Sequence, residues 1–272
     1  MLCIKNGMIH DMVNPEAYEG DILMDGGKIT AIGKNLDIPE GTEVYDACGK
    51  DVYPGFVDAH SHLGLDGYGI GFEGQDYNER NDICTPQLRG IDSFNPMDPS
   101  VSMAAKGGVT CVGTGPGSSN VIGGTFFAAK TAGHCVDDMI VKNPIAMKCA
   151  FGENPKRCYK DVNNYARMST ASKLREMLFK TRDYMARKAA AGDAPLKKPA
   201  SDMKQEAMIP VLEKKIPLKA HAHQANDILT AIRIAKEFDI DMTLEHCTEG
   251  HLFVDEMVKA GFPCAVGPSF GL

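Results

Sequence analysis

The chain has 272 residues, 43% hydrophobic and 24% charged, a composition typical of a globular protein with one large and one small domain. Its net charge of −7, with acidic and basic residues interspersed, argues against a nucleic-acid partner. Apolar runs stay below the about 18 residues that cross a membrane, so a membrane partner is not expected.

The cysteine pattern and the N-terminus predict the compartment. The nine cysteines form no C-x-x-C pair and leave an odd one over, which argues against a disulfide framework. The first residues reach a turn at Gly7 before an apolar segment typical of a signal peptide can develop. We therefore expect a cytoplasmic protein.

The first 53 residues consist of short apolar stretches separated by turn residues. Gly26 and Gly27 lie between two of these stretches and allow the positive φ that a tight hairpin needs, so residues 22–32 are predicted to form a hairpin. Residues 42–46 are a further candidate strand. The pattern predicts a small N-terminal β-sandwich domain over residues 1–53.

After Pro54, short apolar segments alternate with helical patterns, which is typical of βα units with a parallel sheet. Apolar residues recur at helical spacing over 174–185, 228–238 and 252–260. Residues 54–272 are therefore predicted to form an α/β domain. Its seven candidate strands are residues 55–59, 110–114, 125–129, 145–149, 216–220, 242–245 and 264–267.

His60 and His62 stand two residues apart where the first of these strands ends. The two-residue period of a strand places both imidazoles on one face. Two neutral imidazoles that converge at a strand end suit a divalent metal such as zinc. An H-x-H pair alone is weak evidence, so the later strands decide the prediction.

Three later strands also end in residues able to bind a metal. Lys148 ends the fourth, His221 and His223 follow the fifth, and His246 follows the sixth. Because parallel strands bring their C-terminal ends to one edge of the sheet, these side chains are expected to converge with His60 and His62.

Three segments together resemble the amidohydrolase superfamily, in the branch of imidazolonepropionase-like enzymes and metal-dependent dipeptidases. They are the N-terminal pattern of residues 20–22 and 27–33, residues 46–50, and residues 54–62 with the sequence PGFVDAHSH. The resemblance covers nearly the whole chain. It implies a TIM-type (β/α)8 barrel, a small-molecule substrate, and hydrolysis of a C–N bond in an amide or cyclic amide, such as a dipeptide or N-acyl amino acid.

The resemblance also implies roles for individual residues. His60 and His62 match the pair that binds the more buried metal, and His221 and His246 match the ligands from the fifth and sixth strands. Lys148 matches a bridging lysine that is carbamylated in such enzymes, so that two metals share a catalytic hydroxide. Zinc is the first candidate, as one or two ions, although His and carboxylate ligands also suit Mn, Fe or Co.

Several assignments stay open at this stage. His221 and His223 share a strand face; the family pattern favours His221 as the ligand, with His223 facing the substrate. Asn154 and Arg157 are candidates to hold a substrate carboxylate, against the alternative of a helix-start turn. Two alternatives to a carbamylated bridge remain for Lys148. It could be a strand-end lysine that faces solvent, or it could stay unmodified in a mononuclear relative.

The chain departs from the family pattern at its end. In the family an eighth strand ends in an aspartate that binds metal and shuttles a proton, and the chain stops at Leu272, just after the seventh strand. We therefore expect an incomplete barrel of about seven strands, from a truncated product or a fragment completed by another chain. The alternative function is a non-catalytic metal-binding homologue; a homo-oligomer is left open.

Overall fold

The computed structural model describes residues 1–164, 166–192 and 194–268. The chain divides into two compact units, Met1–Phe56 and Val57–Leu272, each with its own sheet. In the part of the chain that is described, no helix is both long enough and apolar enough to cross a membrane.

The N-terminal unit is a five-stranded sheet with the strand order β3-β2-β1-β4, and β5 also pairs with β1. The predicted hairpin is β2–β3, which is antiparallel, and Gly26 and Gly27 at its turn have φ values of 54° and 75°. The small N-terminal β domain is thus confirmed. Its strands are β1 (Leu2–Ile9), β2 (Tyr18–Asp25), β3 (Lys28–Gly33), β4 (Glu43–Asp46) and β5 (Asp51–Val52).

Among the described residues of the second unit, seven strands form one sheet in which they neighbour one another in chain order. All seven predicted strands are present. They are β6 (Phe56–Ser61), β7 (Val109–Thr114), β8 (Ile122–Lys130), β9 (Ile140–Ala150), β10 (Leu218–Ala222), β11 (Met242–His246) and β12 (Cys264–Val266). Strands β9, β10, β11 and β12 run parallel to one another, as the prediction requires.

The prediction of a wholly parallel sheet is wrong for β8, which runs antiparallel to both β7 and β9. The connections over residues 115–121 and 131–139 are too short for the crossover of a dozen or more residues that joins parallel neighbours. This part of the sheet is therefore a meander inserted among the βα units.

Helices connect the remaining strands, and the three predicted helical stretches lie within α4, α6 and the region of α7. The helix α5 was not predicted. The helices are α1 (Pro99–Lys106), α2 (Val136–Met139), α3 (Glu153–Cys158), α4 (Arg167–Ala191), α5 (Met203–Leu212), α6 (Ala225–Phe238) and α7 (Val254–Ala260). Short 3-10 turns cover Phe72–Gly74, Gly90–Ser93, Pro195–Lys197 and Gly250–Leu252.

Alternation along β9, β10 and β11 separates an apolar face from a polar one. One face packs into the main hydrophobic core with side chains of α4 and α6, through Met147, Cys149, Leu218, Ala220, Ala222, Met242 and Leu244. The intervening positions point to the other face, where Lys148, Lys219 and Glu245 lie almost fully buried. This second face holds the side chains that carry the chemistry.

Candidate metal centre

His60 and His62 come from the end of β6 and the residue after it, and their ring centroids are 5.5 Å apart. The Nδ1–H of His62 donates to the carbonyl of Gly115 at 2.8 Å. That hydrogen bond fixes the tautomer and leaves the Nε2 lone pair free, which is the arrangement of a metal-binding histidine.

His221, His223 and His246 form the tightest group of donors. One ligand atom from each lies within 4.8 Å of those of the other two. His221 and His223 point to one side because they stand two residues apart along β10 and its end. The structure therefore brings together both histidines between which the sequence left the choice open.

His246 reaches this group because of its backbone conformation. Glu245 faces the polar side of β11, so simple alternation would send His246 to the opposite side. Its φ of 72°, uncommon outside glycine, turns the chain at the strand end. The Nδ1–H of His246 then donates to the carbonyl of Gly267 at 2.7 Å and leaves Nε2 free.

The two groups meet, and we call the five side chains the histidine cluster: His60, His62, His221, His223 and His246. The rings of His60 and His246 are 5.2 Å apart, and those of His221 and His246 are 4.6 Å apart. Lys148 from β9 places its Nζ 3.3 Å from the Nε2 of His60. The structure thus gathers all five predicted metal ligands in one place.

Burial sets the protonation of the cluster. It lowers the pKa of His60 to about 3 and that of His62 to about 4, and the positive charge of Lys148 adds to the effect. Burial lowers the pKa of His221 further still. Burial also lowers the pKa of Lys148 to about 7, with Lys219 adding to it and Glu245 opposing it. Neutral imidazoles with free lone pairs are the form that binds a divalent metal, so this donor set fits one.

Two buried charges next to the cluster were missed by the sequence analysis. The Oε1 of Glu245 accepts hydrogen bonds from the Nζ of Lys219 at 2.9 Å and from the hydroxyl of Thr243 at 2.6 Å. Burial raises the pKa of Glu245, but His60 and Lys219 outweigh it and lower that pKa to about 2. Lys219 stands two residues before His221, so strand alternation could have placed it on this face.

The other oxygen of Glu245 lies 2.9 Å from the Nδ1 of His60. This distance lies within hydrogen-bonding range, but within the described residues neither atom has a hydrogen-bond partner. Both atoms are buried. Burying an imidazole nitrogen and a carboxylate oxygen without hydrogen bonds costs free energy of folding, so packing alone does not explain their position beside the cluster.

The three predicted substrate-binding residues lie at increasing distance from the cluster. His223 belongs to it, and its Nδ1 is 2.7 Å from the hydroxyl of Thr248. Asn154 on α3 places its Nδ2 3.2 Å from the Nε2 of His221 and 2.8 Å from the hydroxyl of Ser118. Arg157 is exposed and donates to the Oδ1 of Asn154 at 3.1 Å.

A cavity of about 700 Å³ lies along the segment that follows β6. Residues of the long segment after β6 form much of its wall, and the ring of Tyr77 from this segment stacks on His62 at 5.4 Å. Gly123 also lines the cavity, and a Cβ at this position would lie 3.6 Å from the side chain of Lys148. The histidines of the cluster and Lys148 are not among the residues that line the cavity.

Comparison with proteins of known structure identifies the family. An amidohydrolase from Thermotoga maritima MSB8 is 40% identical to this chain and superposes with a TM-score of 0.93, covering 98% of this chain and 70% of that one. The chain belongs to the amidohydrolase superfamily. The same likeness confirms the fold class of a TIM-type, barrel-like α/β sheet with a small N-terminal β domain.

Curated members of the superfamily show weaker or more local similarity. Amidohydrolase tasK from Hapsidospora irregularis is 29% identical over 259 residues, which are 86% of this chain and 26% of tasK. A D-hydantoinase from Geobacillus stearothermophilus is 48% identical over 62 residues, 23% of this chain and 12% of that enzyme. A dihydroorotase from Thermoanaerobacter sp. (strain X514) is 49% identical over 67 residues, 25% and 15% of the two chains.

The chain therefore spans about a quarter of the length of tasK and less of the other two relatives. No protein-family model matches it.

Proposed function

We propose that this chain carries the metal centre of a hydrolase that cleaves a C–N bond in a small amide or cyclic amide, such as a dipeptide or an N-acyl amino acid. The observation that carries the proposal is the convergence of five histidines and Lys148 from β6, β9, β10 and β11 on one face of the sheet. The names of the hydantoinase and dihydroorotase relatives agree with cyclic amides as a substrate class.

His60, His62, Lys148, His221 and His246 would hold one or two divalent ions, with zinc as the first candidate because nitrogen donors predominate. When bound, such an ion supplies a water of lowered pKa and polarises a carbonyl group. The hydrogen bonds from His62 to Gly115 and from His246 to Gly267 hold these two rings with Nε2 free for the ion.

Lys148 is proposed to act as a carbamate. Its neutral amine attacks CO2, the N–C bond forms, one amine proton leaves, and the side chain becomes an anion with two oxygen donors. Complete burial of Lys148 favours the neutral amine that this reaction needs. Intact-mass measurement under CO2-saturated conditions is expected to show one added CO2, which Lys148→Met abolishes.

On the substrate side, Asn154 is proposed to donate through its amide to a substrate oxygen, because its Nδ2 already faces the cluster. Arg157 holds the Asn154 side chain by its hydrogen bond and contributes positive charge for a substrate carboxylate. His223 is proposed to contact substrate. The alternative is that His223 binds the metal, and its position beside His221 and His246 favours that alternative.

The test combines metal analysis with turnover. Zinc, manganese, cobalt and iron are each loaded, their stoichiometry is measured, and hydrolysis is followed on a panel of dipeptides, N-acyl amino acids, hydantoins and dihydroorotate. His246→Ala is expected to lose metal and turnover, whereas His251→Ala, an exposed histidine nearby that contacts the carbonyl of Thr248, keeps both.

Metal binding without turnover on any substrate would support the second candidate, a non-catalytic metal-binding homologue. Absence of metal binding would contradict both candidates. All nine cysteines are free thiols, which is compatible with the proposed reducing, cytoplasmic compartment.

A further inference from the structure

Glu245 and Lys219 form a buried ion pair directly beside the histidine cluster. Glu245 is 0% exposed and Lys219 is 6% exposed, and the two are neighbours across β10 and β11. Burying such a pair costs desolvation energy that its mutual attraction often fails to exceed, so its presence calls for a reason other than stability.

The two oxygens of Glu245 have different surroundings. Oε1 takes both hydrogen bonds, from Lys219 and from Thr243. Within the described residues Oε2 accepts none, and it lies 2.9 Å from the Nδ1 of His60. The opposite ring nitrogen of His60, Nε2, faces the Nζ of Lys148 at 3.3 Å. The His60 ring thus lies between the free carboxylate oxygen and the candidate bridging lysine.

The same pattern recurs on two other histidines. His62 and His246 each have their Nδ1 fixed by a backbone carbonyl, from Gly115 and Gly267, so that Nε2 is left free. In His60 the oxygen that faces Nδ1 is the carboxylate of Glu245. A carboxylate partner orients a metal-binding imidazole and makes its other nitrogen a stronger donor than a carbonyl does.

We propose that Glu245 is a positioning residue for the metal centre: it holds His60 as the Nδ1–H tautomer with Nε2 directed to the metal, while Lys219 and Thr243 fix the carboxylate through its other oxygen. The proposal rests on the proposed function, because it requires a metal at His60. Since neither Oε2 nor Nδ1 has another partner within the described residues, the hydrogen bond between them forms once Nε2 is held from the other side.

The competing explanation is a purely structural ion pair, and a set of four proteins separates the two. Zinc affinity is measured by competition with a chromogenic chelator, and stability by urea unfolding without metal, for the wild type, Glu245→Gln, the double variant Lys219→Met/Glu245→Gln, and Asp227→Asn. Asp227 is the matched control, a 3% exposed carboxylate paired with Arg167 outside the cluster.

Glu245→Gln is expected to weaken zinc binding about 10- to 100-fold, the usual effect of losing a partner of a metal-binding histidine. The double variant is expected to unfold at higher urea than Glu245→Gln, because no lone buried lysine remains at this position. Its zinc affinity stays as low as that of Glu245→Gln. Asp227→Asn loses stability and keeps wild-type affinity.

Wild-type zinc affinity in the double variant would overturn the inference and leave the proposed function intact. Equal loss of affinity in Asp227→Asn would also overturn it, since the effect would then follow stability alone. A wild-type protein that binds no zinc or other divalent ion would overturn the proposed function together with the inference.

Discussion

Two buried carboxylates, Asp21 in the N-terminal sheet and Glu245 in the second unit, are satisfied in different ways. Both oxygens of Asp21 accept hydrogen bonds from backbone amides, Oδ1 from Asn6 at 3.0 Å and Oδ2 from Leu36 at 3.3 Å. Glu245 uses one oxygen for two side-chain donors and leaves the other facing His60. The carboxylate of Asp21 accepts hydrogen bonds from the backbone of its own domain, whereas that of Glu245 faces a candidate site.

The role of Asp21 follows from an irregularity in β1. The pairing register of β1 with β2 shifts between Ile4 and Gly7, and Asn6 there has a φ of 55°. The amide of Asn6 cannot join the regular ladder, so the carboxylate of Asp21 accepts its hydrogen bond. A fully satisfied carboxylate of this kind supports a fold, whereas a partly satisfied one beside free imidazoles indicates function.

The largest effect in this comparison is expected for Lys219→Met. The change leaves the Glu245 carboxylate buried without its cation, and breaking one side of a buried pair costs about 3–5 kcal/mol. Urea unfolding of the metal-free protein measures it. Lys215→Met is the control, since it removes an exposed pair with Glu213 that is worth at most about 1 kcal/mol. Equal losses in the two variants would show that Lys219 is not effectively buried.

Asp21→Ala is expected to cost about 2–3 kcal/mol, because two backbone amides lose their hydrogen-bond acceptor. The loss belongs to the N-terminal sheet, so amide hydrogen exchange should accelerate in β1 and β2 while the strands of the second unit keep their protection. Asp37→Ala, at an exposed carboxylate, is the control. Unchanged exchange in β1 would contradict the assignment of Asp21 to the bulge.

A smaller effect, about 1 kcal/mol, is expected for Thr243→Val. The substitution removes the hydroxyl that donates to Oε1 of Glu245, but Lys219 still donates to the same oxygen. Thr243→Ser keeps the hydroxyl and is expected to stay close to the wild type. A larger loss in Thr243→Ser than in Thr243→Val would mean that the methyl group, through packing, matters more than the hydrogen bond.

The sequence predicted the histidines because strand alternation is a strong constraint. His60 and His62, like His221 and His223, share a face whatever the details of the sheet. Glu245 escaped the same reasoning, since alternation allows only one of two consecutive residues to face the cluster. The positive φ of His246 lets both Glu245 and His246 face the cluster, and the sequence carries no pattern that predicts this φ.

In the fold, the sequence predicts where the strands lie but not the direction of each strand. Apolar runs located all seven strands of the second unit, but such runs carry no information on strand direction, so β8 was assigned the wrong orientation. Only the short connections around it held that information. The pairing of Asp21 with Asn6 depends on a bulge in β1, which alternation of apolar residues does not reveal.

The smallest effect concerns Asp11, a more accessible carboxylate that also accepts backbone hydrogen bonds, from Asn14 at 2.8 Å and Val13 at 3.0 Å. These bonds lower its pKa from 3.8 to about 2. A group whose folded pKa is lowered contributes stability above its unfolded pKa and loses it as the pH falls through the folded value.

Asp11→Asn keeps the acceptor geometry and removes the charge, so the variant is expected to be slightly less stable than the wild type above about pH 4. The difference in unfolding free energy should shrink between about pH 4 and pH 2 and vanish below. Urea titrations of both proteins across this range measure it. A difference that persists unchanged at the acid end would show that Asp11 contributes through the geometry of its hydrogen bonds and not through its charge.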